Sequence, residues 1–191
     1  MKKIIILAAA ALSLTACATA SQPGAMVPSV SANSIVTSQS KLFEAVSLGP
    51  VNGGKKTNPL WTSNVSNEDF VEALRQSFAA HAMLATDSGD YRLDAELVKL
   101  KQPMMGIDMS VTSDVKYTLT SVATGAVIFE DLISEKYTAK MSDAFVGVKR
   151  LQLANEGSIK SNISTLIETM IKKVDGMSAP MATIQTSKAH G

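Results

Sequence analysis

Cys17 is the only thiol in the 191-residue sequence, and it stands directly behind Leu14-Thr15-Ala16. Lys2 and Lys3 supply a basic start, and Ile4 to Leu14 form an apolar run broken only by Ser13. Residues 1–16 therefore read as a secretory signal peptide, since about ten apolar residues are too few to span a bilayer core of ~30 Å. The other groups suited to covalent or acid–base chemistry are sparse. His190 lies in the tail, and His81 sits at the edge of a helical apolar stripe, where an imidazole is more often structural than catalytic. No second histidine or cysteine stands at metal-ligand spacing. There is no Gly-x-Ser-x-Gly elbow, no phosphate-binding glycine loop and no Gly-x-Gly-x-x-Gly. Asp94 and Glu96 share one face of a strand by the period-two rule, but without a partner they read as solvated charges. The expectation is a protein that is not an enzyme, with no catalytic residues, no metal and no cofactor.

Leu14-Thr15-Ala16-Cys17 resembles the bacterial lipobox. That resemblance implies lipidation of the Cys17 thiol, cleavage just before it, and three acyl chains on the new N-terminus. One chain binds a membrane only marginally, at about 0.8 kcal/mol per buried CH₂, so several are needed for a stable anchor. In the same pattern an aspartate after the cysteine retains the protein at the inner membrane. Ala18 holds that position, so the expected location is the periplasmic face of the outer membrane.

Two segments could contact a partner or ligand. Lys55 and Lys56, beside Asn58, Pro59 and Trp61, combine basic groups with the only tryptophan, which would suit anionic headgroups, glycan or a protein. Alternatively Trp61 folds back to plug the sheet edge. Gln102 to Met109 carries Met104 and Met105 at a hairpin tip, adaptable apolar side chains suited to a binding surface or to lipid, unless the tip packs on Trp61. Lys149 and Arg150 read as surface charges.

The elements that must position these residues follow from composition and periodicity. Loss of Lys2 and Lys3 with the leader takes the 18 basic residues to 16 against 17 acidic, which leaves no electrostatic footprint for nucleic acid. Residues 17–40 hold the lipidated cysteine and then an uncharged stretch rich in Ser, Ala, Thr and Pro, which reads as a flexible linker with ends about 25 Å apart. Residues 41–175 read as a single domain, and 176–191 as a disordered tail. A strand is expected over Lys41–Leu48, ended by Gly49-Pro50. Ser66 and Asp69, with Phe70, Leu74, Phe78 and Ala82 at i+4 spacing, predict a capped amphipathic helix. Alternation predicts a strand from Tyr91 with a bulge near Leu97, a second over Met109–Leu119, and a hairpin through Ala123-Thr124-Gly125 into Val127. A last helix is expected from Lys149 to Val174, with Gly157 either a kink or a point of close packing. The fold class is α+β: a β-α-β-β-β-α two-layer sandwich, mostly antiparallel, with two helices on one face.

Lipobox, uncharged linker and this element order together resemble small Gram-negative envelope lipoproteins. Those include the lipopolysaccharide-assembly lipoprotein, auxiliary lipoproteins of lipid transport and lipoprotein activators of peptidoglycan synthases. Arg150-Leu151, Ala154-Asn155-Glu156 and Asn162-Ile163 also resemble the start of the last helix in such proteins. The resemblance implies a membrane partner through the lipid anchor and an envelope partner, either a protein or a lipid or glycan. It assigns no functional residue. The expected function is that of a non-enzymatic accessory lipoprotein. The alternative is a lipid or glycan carrier with a cavity between helices and sheet. An acyltransferase fits poorly, because the left-handed β-helix class needs hexapeptide repeats and a catalytic histidine.

Overall fold

The computed structural model describes residues 18–32, 34–58 and 62–176. Cys17, Trp61, the leader and residues 177–191 lie outside the described residues. The elements are β1 (Val46–Asn52), α1 (Asn67–Ala80), β2 (Tyr91–Lys101), β3 (Met109–Ser121), β4 (Val127–Ala139) and α2 (Gly147–Met170), with a π-helical turn over Ile171–Asp175. The strands form one open sheet in the order β1-β2-β3-β4, with β1 parallel to β2 and the other pairs antiparallel. This is the expected α+β arrangement.

Alternation decides which side of the sheet is covered. Leu93, Ala95 and Leu97 of β2, Val111, Val115, Tyr117 and Leu119 of β3, and Phe129 and Ile133 of β4 are buried. Phe70, Leu74 and Phe78 of α1 and Ile159, Ile163, Leu166 and Met170 of α2 close over them. The outer face is polar, crossed by ion pairs such as Lys116–Glu130 at 3.0 Å and Lys101–Asp114 at 2.9 Å. The register of β2 against β3 shifts between Leu97 and Lys99, where the apolar phase of the sequence flips. Ser66 caps α1 by accepting from the Asp69 N–H at 3.1 Å, an interaction of about 1 kcal/mol.

Two expectations need correction. The first strand runs from Val46 rather than Lys41, because residues 41–44 are turns closed by Phe43 N–H to Ser40 O and Ala45 N–H to Leu42 O. It also continues through Gly49-Pro50 instead of stopping there. As an edge strand, β1 tolerates a residue without an N–H, and the register shifts between Leu48 and Val51.

The second correction concerns the stretch expected as a flexible linker. From Ala18 onwards it is a strap packed on the outside of both helices. Ala18, Met26 and Val36 are buried, and Pro23–Met26 forms a 3-10 turn against α1 and α2. The Thr19 hydroxyl donates to Gln152 Oε1 (2.6 Å), Gln22 N–H donates to Glu156 Oε1 (2.9 Å), and Gln152 Nε2 donates to Ala20 O (3.0 Å). Further along, Val36 N–H reaches His81 O (3.1 Å), and Ser40 Oγ reaches Asp175 Oδ2 (2.7 Å). A segment without charge can be buried if its backbone groups find partners, and the polar side of α2 supplies them.

Candidate functional site

The topology gathers the two predicted contact loops at one end of the domain. β1 and β2 are parallel, so the 53–66 loop after β1 and the 102–108 hairpin after β2 emerge on the same side. A buried amide cluster locks them together. Gln102 Nε2 donates to Ser63 O and to Asn155 Oδ1, both at 2.8 Å, while Asn155 Nδ2 donates to Ser63 O at 3.0 Å. The Thr62 hydroxyl adds a bond to Gln102 Oε1 at 3.2 Å, and Ser21 N–H of the strap reaches Asn64 O. The N-terminal end of the strap therefore arrives at this same end.

Lys55 and Lys56 are exposed there, and the 53–66 loop is held by Lys55 N–H to Val65 O (2.8 Å). Met104 is 99% and Met105 84% exposed at the hairpin tip. A third loop, 140–146, completes the end, and no motif in the sequence points to it. Phe145 is 84% exposed, and Met141 and Val146 also face outwards. The loop is tied to the hairpin by Met141 N–H to Asp108 Oδ1 at 3.0 Å. Beneath both lies a small apolar cluster of Met109, Val111, Ala139, Leu151 and Ala154.

Arg150 departs from its reading as a surface charge. It is 7% exposed, and its Nη1 donates to Ala144 O and Phe145 O, each at 2.7 Å, so it fixes the loop that presents Phe145. The signal in the sequence was its place one turn into α2, where a long donor can satisfy the carbonyls of the preceding loop. Lys149 remains exposed and donates to Gln152 Oε1 at 2.9 Å.

Elsewhere, polar groups serve packing. His81 Nδ1 lies 2.7 Å from Ser77 O at the C-terminus of α1 and is buried. Asn162 Nδ2 donates to Ser113 O (3.1 Å) and Ile133 O (2.9 Å), which fastens α2 to β3 and β4. Burial pushes the Tyr117 hydroxyl far above the usual phenol range. A hydrogen bond from Lys101, then one from Ser134, holds the Asp114 carboxyl below the usual carboxylate range. Among the described residues, no group of three or more His, Cys, Asp or Glu is placed to hold a metal ion, and no helix is long and apolar enough to cross a membrane. A groove of about 610 Å³ lies between the strap, α2 and the end of β4, lined by Tyr137, Asp143, Glu156 and Lys160 among others. The space between helices and sheet is filled by fully buried side chains, including Phe70, Phe78, Tyr117 and Leu119.

No protein-family model matches the chain, and no curated protein is similar to it in sequence. Similarity appears at the level of fold, which is shared with solved structures of bacterial proteins at low sequence identity. Protein XCC0632 from Xanthomonas campestris, of the DUF330 family, superposes with a TM-score of 0.56 at 10% identity, covering 80% of this chain and 97% of its own. A candidate lipoprotein from Caulobacter crescentus gives 0.51 at 10% identity, covering 72% and 95%.

Proposed function

We propose that the protein is a non-enzymatic accessory lipoprotein of the Gram-negative envelope. Residues 1–16 are its signal peptide, and Cys17 carries the acyl chains that hold it to the periplasmic face of the outer membrane. Its task is to bind another envelope component, a protein of transport or of envelope biogenesis. The observation that carries this reading is the open sheet on a domain against which the chain is packed from Ala18 onwards. β4 forms one edge over 13 residues and exposes Val127, Leu132 and Tyr137 along it. The opposite edge, β1, is short and interrupted by Pro50. An extended segment of a partner can add to an edge of this kind through main-chain hydrogen bonds. The lipid or glycan carrier is the weaker reading, since large side chains fill the layer where its cavity would lie.

A photo-crosslinking residue at Leu132, in cells expressing the full chain at native level, tests the proposal. One dominant crosslinked envelope protein, lost when the probe moves to the β1 edge at Ser47, is the expected result. Equal, diffuse labelling from both edges would count against it.

A further inference from the structure

We infer that the loop end of the domain lies in the bilayer surface beside Cys17, with the side chains of Met104, Met105, Ile107, Met141, Phe145 and Val146 inserted among the lipids. The inference rests on the proposed lipidation of Cys17 and adds to it an orientation and a second membrane contact.

Chain length carries the first part of the argument. Thr19 is hydrogen-bonded to Gln152, and Ala18 is already buried on the domain. Cys17 is two residues from Thr19, a span of at most about 7 Å. Gln152 stands five residues into α2, roughly 7.5 Å along the helix axis from its start at Gly147. Acyl chains on Cys17 would thus draw the first turns of α2, and the loops level with them, to the membrane surface. No long tether remains to let the domain turn away.

The surface brought down is chemically suited to that position. Met104, Met105, Ile107 and Phe145 are 74–99% exposed and stand on two loops joined through Asp108 and Met141. Exposed apolar side chains are ordinary when scattered, but a cluster of this size at one end marks a contact surface. Lys55, Lys56, Lys140 and Lys149 are exposed around it, where ammonium groups can meet anionic headgroups. The acidic groups of the two loops, Asp108 and Asp143, are occupied as acceptors for the N–H groups of Met141 (3.0 Å) and Lys140 (2.8 Å). Burial of several large apolar side chains adds to the anchor in the way a second lipid signal does.

The test is a depth measurement on the full lipidated chain. Met105→Cys and Phe145→Cys each introduce a single labelling site, because the native thiol is acylated, and Thr124→Cys at the β3–β4 turn serves as the distant control. Each is labelled with an environment-sensitive fluorophore in phosphatidylethanolamine–phosphatidylglycerol vesicles and challenged with acyl-chain nitroxides or aqueous iodide. Labels at 105 and 145 should be blue-shifted, quenched by the nitroxide and protected from iodide, while the label at 124 shows the reverse. Mass spectrometry of the same samples separates the two claims. Acylated Cys17 with aqueous labels at 105 and 145 overturns the inference and leaves the anchor standing. Unmodified Cys17 with aqueous labels overturns both. Protection found only in native envelopes, with crosslinks from 105 or 145 to a protein, replaces the bilayer by a protein partner and also overturns the inference.

Discussion

A Cβ on Gly157 would collide with the ring of Tyr137, which lies across α2 at that point. On helix propensity alone, Gly157→Ala should stabilise the protein by about 1 kcal/mol. The contact reverses the sign: overpacking should cost about 1–3 kcal/mol in chemical denaturation, and the usual gain should return in a Tyr137→Ala background. A stabilised single variant would show that the ring does not press on the helix. Asn162 acts in the opposite sense, by supplying a donor. Asn162→Leu strands the carbonyls of Ser113 and Ile133 and should cost about 2–3 kcal/mol, although it adds apolar volume to the core. Asp114 gives the pH dependence. Its folded pKa is lowered from 3.8, so the Lys101–Asp114 pair contributes stability that is fully present above pH 3.8 and lost as pH falls through the lower folded value. Lys101→Met should therefore be less stable than wild type near neutrality, by no more than about 1 kcal/mol because Lys101 is half exposed, and the gap should close below pH 3.8. A gap that widens in acid would contradict the pairing.

Among the elements, the strands and helices were legible because period-two and period-3.6 patterns report burial directly, as in Val111–Leu119 and Phe70–Phe78. Even the irregularity near Leu97 was visible, since a phase flip in the apolar positions needs a bulge. The strap was misread for a physical reason. Ser, Ala and Thr without charge describe a solvated coil and a buried surface segment equally well, and the difference lies in partners far along the chain. Gln152 and Glu156, one turn apart on α2, are those partners, and nothing local to residues 18–40 announces them. The same limit hid the loop end. Lys55, Lys56, Met104 and Met105 could be picked out singly, but Phe145 and the clamp by Arg150 emerge only once β1, β2 and α2 are set side by side. Gln152→Ala combined with Glu156→Ala should release the strap while the sheet holds. Hydrogen exchange at residues 19–27 should then quicken several-fold, with β3 unchanged, since each lost bond is worth about 1 kcal/mol. Exchange already fast in the wild type would mean that the strap is a free linker after all.

For the molecule as a whole, the packed strap changes what an anchor at Cys17 would accomplish. A linker of tens of ångströms would make the anchor a leash, whereas a strap beginning at Ala18 makes it a fixed mount that orients the domain. The open face and long β4 edge would then be presented to the periplasm in a defined attitude, the geometry an accessory protein needs to meet a partner in the same membrane. All of this depends on one covalent modification, and that can be measured directly. Intact-mass and N-terminal peptide analysis of the protein extracted from membranes should find residues 1–16 absent and three acyl chains on Cys17, and the Cys17→Ser chain should leave the membrane fraction and lose function. An unmodified Cys17 within an uncut chain, or a Cys17→Ser protein that is soluble yet fully functional, would contradict the account.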